Sequence, residues 1–162
     1  LTLTVLLQDI KKLETGALIV GFFEDVRPLK GLAGELDWLL CGSLSSLIIN
    51  KKLRGGLGDV ALLTSQGKLP TQKIFMIGLG PKATFTSSAA RSAASTAAAS
   101  VLGAGVAKAA IEFFHVSDAP FESSVSALSE GLSHGAGGRS FDVSLLTPDA
   151  ATYEKISRLV SY

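Results

Sequence analysis

The residues with the strongest chemical signature lie in KIFMIGLGPK, Lys73 to Lys82, where an apolar run meets Gly78 and Gly80 and a helix-forming segment follows. Glycines between a strand and a helix can cradle a phosphate on backbone amides. A dinucleotide fingerprint needs G-x-G-x-x-G. Here the third glycine position holds Ala83, Pro81 and Lys82 intervene, and the helix is expected only at Thr86. The stretch some twenty residues on, SVLGAGVAK, carries no acid to hold a ribose, and no G-x-x-x-x-G-K-[ST] loop occurs. The two glycines are therefore read as a sharp turn off a central strand, with an anion near Gly78 and Gly80 as the functional alternative.

Other reactive types do not converge. His115 and His134 stand outside any H-E-x-x-H or C-x-x-C pattern, and a catalytic zinc needs three protein ligands. They read as surface or helix-end histidines. Glu24 and Asp25 follow a strand, Glu35 and Asp37 open a helix where acids favour the dipole, and Asp59 and Asp142 flank strands. Nothing in their spacing gathers them round two metals. No serine sits in G-x-S-x-G. Cys41, the single cysteine, lies in an apolar helical pattern and reads as a small buried residue in a reduced compartment. Gly135, Gly137 and Gly138 precede Arg139 in HGAGGR, and read as a loop before a buried strand. The functional alternative is a phosphate- or nucleotide-like ligand between that loop and residues 24–34.

Composition narrows the class. The chain has 162 residues, 47% hydrophobic and 18% charged, enough apolar side chain for one domain with a core. Its formal charge of +1 supplies no field for nucleic acid or an anionic membrane. The one basic run, KKLR at Lys51 to Arg54, reads as cations at a helix end. The longest uncharged stretch, Ser92 to Ala107, is mostly Ala, Ser and Gly, a poor membrane span. No basic leader with an apolar centre opens the chain, so no signal peptide is expected. The first residue is Leu1 and the sole methionine is Met76, as expected of a trimmed, processed or partial chain.

These residues must be positioned by regular elements. Apolar runs predict strands near 1–7, 16–23, 59–64, 73–79, 106–115 and 141–147. Leu36, Leu40, Leu44, Leu47 and Ile48 make one stripe, predicting a helix from about Gly31 to Lys52 with Gly42 inside it. Further helices are predicted from Thr86 as N-cap to about Leu102, from Pro120 to Ser133, and after Pro148 with Thr147 as cap. Helices between strands predict a three-layer α/β sandwich with a largely parallel sheet. The short link between the strands at 59–64 and 73–79 makes that sheet mixed. A single domain over 1–162 is expected. The alanine-rich helix offers close packing against the sheet, a neighbouring helix or another subunit.

The order of signals resembles the N-terminal domain of the leucyl aminopeptidase family. The landmarks are IVGFFED (19–25), the leucine-striped helix with Leu36 and Asp37, GGLGD (55–59), ALLTSQGKLPTQKIFMIGLG (61–80) and the helix from Thr86 carrying Arg91. Residues 15–113 carry the resemblance best. It implies a macro-domain-like fold and a cytoplasmic location. In full family enzymes this domain is joined to a catalytic domain holding two divalent metals (zinc, manganese or magnesium), which removes N-terminal amino acids, commonly in hexamers. The family's asparagine-threonine-aspartate-alanine-glutamate-glycine-arginine metal motif has no counterpart here. No residue is therefore assigned as catalytic, metal-binding or cofactor-binding. The implied partners are the catalytic domain or other subunits, and the near-neutral charge predicts neither nucleic acid nor membrane. The implied alternative is a macro-like module for ADP-ribose or a related nucleotide, in which Asp25 would parallel an adenine-holding aspartate and Gly135 to Gly138 a phosphate loop.

Overall fold

The computed structural model describes residues 1–160. Six strands form one sheet: β1 (Thr2–Leu6), β2 (Leu18–Phe22), β3 (Val60–Thr64), β4 (Lys73–Gly78), β5 (Lys108–Glu112) and β6 (Asp142–Leu146). Their order is β1-β6-β5-β2-β4-β3. Every pairing is parallel except β3 with β4. That exception follows from chain length, because a short link returns a strand only antiparallel to its neighbour. The sheet is mixed and mostly parallel, as the sequence pattern predicts.

Helices α1 (Gly31–Leu39) and α2 (Ser43–Ile49) cover one face. There Leu36 and Leu44, both fully buried, meet Leu18, Val20, Ile74 and Met76. Helices α3 (Ser87–Gly103), α4 (Phe121–Ala136) and α5 (Ala150–Val160) cover the other, over Ile19, Ile77, Ile111 and Leu145. Strand β2 is buried along its whole length, as a central parallel strand between two helical layers must be.

Four sequence expectations change. The single helix from Gly31 to Lys52 is two helices meeting at 106°. Cys41 and Gly42 adopt positive φ (55° and 81°), which ends α1 and redirects the chain. The Asp37 carboxylate then accepts hydrogen bonds from the Ser45 backbone amide (3.0 Å) and from the Ser45 hydroxyl, capping α2. The bend lets Leu36, Leu40 and Leu44 all stay buried, and it leaves Cys41 exposed rather than buried. The last helix is capped by Asp149, which accepts from the Thr152 amide at 2.7 Å. Thr147 instead donates its hydroxyl to the Leu6 carbonyl and ties β1 to β6. Helix α4 runs three residues past Ser133 and takes in Gly135. The other two predicted features of the helices, the Thr86 cap on α3 and the start of α4 after Pro120, are present.

The extension of α4 has a packing cause. A Cβ at Gly131 would strike the Arg91 carbonyl oxygen, and one at Gly135 the Ser95 carbonyl oxygen. The backbones of α3 and α4 thus approach through two glycines one turn apart, with the buried Ala94 of α3 against Gly131. Main-chain oxygens cannot swing aside as a side chain can. Gly131→Ala and Gly135→Ala should each destabilise by about 1–3 kcal/mol, the usual range for overpacking. Gly103→Ala, with no atom within 4 Å of the added Cβ, should be neutral or mildly stabilising. Urea denaturation of the three variants checks this.

Candidate functional site

Strand order fixes where a cleft must open. The chain leaves β2 toward β4 and β3 on one side, and leaves β5 toward β6 on the other. Connections diverging from adjacent parallel strands leave a crevice at their carboxyl ends. The pairing shows it directly. Strands β2 and β4 share five register pairs, but β2 and β5 share only Leu18↔Ala110 and Ile19↔Ile111 before they part.

The side chain of Glu112 spans that gap. One carboxylate oxygen accepts from the Gly21 amide on β2 (3.4 Å), and the other from the Leu32 amide in the first turn of α1 (3.2 Å). It replaces the next rung of the β2–β5 ladder and satisfies an otherwise orphaned helix amide. Gly31, at φ +61°, makes the turn into α1 that brings the Leu32 amide to it. Two lobes open on either side of Glu112, both also lined by Gly31 and Phe113. The smaller, of about 250 Å³, is walled by Phe22, Phe23, Leu29, Phe85 and Phe114, with Lys30, Lys82 and His115 also lining it. The larger, of about 620 Å³, lies beyond the ends of β1 and β6.

Burial pushes the Glu112 carboxyl up to about 7, against the pull of its two amide donors. The sequence reading missed this residue. Its signal was an acid inside an otherwise apolar strand, AAIEFF.

The sequence-predicted cleft residues fall in two places. Asp25, Gly78 and Gly80 sit together at the carboxyl edge of the sheet. Asp25 accepts from the Lys82 amide (3.0 Å), and the Gly80 carbonyl accepts from the Glu24 amide (3.1 Å). The amides of Gly78, Leu79 and Gly80 donate to the carbonyls of Asp59, Phe22 and Gly55, each at 2.9 Å. A Cβ at Gly78 would collide with Gly56 and Gly55. These glycines admit the close approach of another turn, GGLGD, and their amides are already engaged.

Gly135, Gly137, Gly138 and Arg139 lie at the opposite edge. Helix α4 carries the chain from the carboxyl end of β5 back to the amino end of β6, because those strands are parallel. Gly137 and Gly138 have φ of 58° and 83° and end α4. The Arg139 guanidinium donates to the Ala136 and Gly135 carbonyls. The fold therefore does not bring this group to Asp25.

His115 stacks on Phe113 and Phe121 and lies 3.4 Å from the Ser124 hydroxyl, while His134 pairs with Ser95 at 3.1 Å. Among the described residues, no three His, Cys, Asp or Glu side chains gather as a metal site would.

Because the Glu112 carboxyl is held above its ordinary value of 4.5, the folded chain binds an extra proton between about pH 4.5 and 7. Its contribution to stability is fully present below pH 4.5 and is lost as pH rises through about 7. The melting midpoint should therefore fall across that window. Glu112→Gln should flatten the fall, and an unchanged slope in the variant would remove Glu112 as its source.

Comparison with known proteins places this geometry. The model of the cytosol aminopeptidase family, N-terminal domain, matches residues 19–136. A probable cytosol aminopeptidase of Geobacter sulfurreducens is 35% identical over 136 residues, covering 83% of this chain and 27% of the relative. The chain thus spans about a quarter of that relative's length. A solved mutant of tomato leucine aminopeptidase superposes over 99% of this chain and 35% of its own, with TM-score 0.71 and 18% identity. The Oceanobacillus iheyensis macrodomain with ADP superposes over 96% of this chain and 88% of its own, with TM-score 0.73 and 13% identity. At such identities the last two likenesses show the fold.

Proposed function

The chain belongs to the cytosol aminopeptidase family as its N-terminal domain, and on that premise we propose that it is a non-catalytic module with a structural or assembly role. The parent activity it would serve is two-metal removal of N-terminal amino acids in the cytoplasm. Its partners would be the catalytic domain or other subunits.

One observation carries the assembly role. Large apolar side chains stand in solvent although the fold has buried positions for their neighbours. Trp38, next to last in α1, is 84% exposed and Ile49, the last residue of α2, is 78% exposed, on helices whose Leu36 and Leu44 are buried. On the edge strand β3, Leu62 is 51% exposed. Exposed aromatic and aliphatic groups of this size favour cover by protein, and an unpaired edge strand adds free backbone groups to such a contact.

A second reading, a module for ADP-ribose or a related nucleotide, draws support from the cleft's place at the strand-order reversal and from the likeness to a macrodomain with ADP. Against it stands Glu112. Its carboxylate already occupies an N-terminal amide of α1, the kind of donor a phosphate would use.

Sedimentation of the chain should show a mass that rises with concentration, and Trp38→Ser with Ile49→Ser should abolish the rise. A strict monomer at every concentration would count against assembly through this surface. The purified chain should not hydrolyse leucine amides with added manganese or zinc, whereas turnover that tracks the chain through purification would overturn the non-catalytic reading. Calorimetric titration with ADP-ribose should be flat. Saturable heat would favour the second reading.

A further inference from the structure

The larger lobe of the cleft has a chemical character that neither family membership nor an assembly role explains. Its wall is mixed: Ile10, Leu32, Phe113 and Leu146 supply apolar surface, and Gln8 and Thr147 supply neutral polar groups. Three carboxylate residues, Asp9, Glu35 and Glu112, also line it, and no Lys, Arg or His does. The cations of the cleft line the smaller lobe, at Lys30 and Lys82. Low-dielectric walls around charges of one sign focus their field into the space between.

Glu112 is the deepest of the three. Both its oxygens are anchored by backbone amides, and each retains a lone-pair direction for another donor. No described cationic side chain forms an ion pair with it, since the one salt bridge among the described residues joins Arg91 and Glu130. The carboxylate is thus held in place by the main chain, with no cationic side chain at ion-pair distance among the described residues.

Two features select among cations. The three acids do not gather as metal ligands would, which argues against a bare divalent ion. The volume of about 620 Å³ falls within the roughly 300–1,000 Å³ typical of small-molecule pockets, and the apolar part of its wall, Leu32, Phe113 and Leu146, would remain wet around a small inorganic cation. A primary ammonium group on a branched or aromatic hydrocarbon body answers both. The ammonium donates to Glu112 with Asp9 and Glu35 supplying long-range attraction, and the body displaces water from Leu32, Phe113 and Leu146.

We propose that the lobe between α1 and the carboxyl ends of β5 and β6 is a binding site for a small apolar primary amine, with Glu112 as the group that receives its ammonium. The inference concerns the ligand class and is independent of the assembly role, so either can fail without the other.

The test titrates the isotope-labelled full chain with 3-methylbutylamine and follows backbone amide shifts. The alcohol and the carboxylate of the same hydrocarbon body serve as comparators. The amine should saturate, moving the Gly21 and Leu32 amides most, with the alcohol and carboxylate at least tenfold weaker. Glu112→Gln should abolish saturation. Asp9→Asn combined with Glu35→Gln, both nearer the rim, should weaken the amine severalfold, which keeps the test decisive should Glu112→Gln fail to fold. Equal binding of all three probes, preference for the carboxylate, shifts that rise linearly without saturation, or a midpoint unchanged in the rim double variant would each overturn the proposal.

Discussion

A carboxylate placed where two parallel strands separate organises the cleft end of this fold. Strands β2 and β5 pair for two residues and then diverge, and an unfilled gap there would leave a β2 amide and a helix amide without acceptors. Glu112 supplies both acceptors at once. Burying an unpaired polar group costs on the order of 1–3 kcal/mol, so one side chain offsets two such costs. The charge itself is poorly solvated there, and the raised proton affinity is the consequence.

The same placement links architecture to recognition. An open α/β sheet puts its crevice at the reversal of strand order, and helix N-termini facing that crevice ordinarily attract anions. Here the protein's own anion holds the first turn of α1. The other amide-rich turn, around Gly78 to Lys82, is engaged by GGLGD, Phe22 and Asp25. The larger lobe of the cleft is lined by three acids, Asp9, Glu35 and Glu112, and by no Lys, Arg or His.

Much of the framework was legible in the sequence because its signals are local and strong. The alternation of apolar runs with capped helices located all six strands, and the short link before β4 announced the antiparallel pair. The Thr86 cap and the alanine stripe of α3 read directly. The elbow at Cys41 and Gly42 was not legible, because the leucine stripe continues in phase across a helix that bends by 106°. Its only local sign was a glycine followed by serines. The extension of α4 through Gly135 depends on how closely α3 approaches, which no single segment encodes. Glu112 was legible only as an acid out of place in an apolar strand. Its role required knowing that β2 and α1 face it. Loop composition groups Gly135 to Arg139 with Asp25, whereas the parallel β5–α4–β6 crossover puts them at the other end of the sheet.

The most direct test of the account is a pH titration of the Glu112 carboxyl carbon by nuclear magnetic resonance, read together with the Gly21 and Leu32 amides. One shared midpoint near 7 is expected for all three signals, since the amides bond to the group that titrates. A carboxyl midpoint at the ordinary 4.5, with both amides indifferent to it, would show that Glu112 is solvated and does not bridge the parting strands.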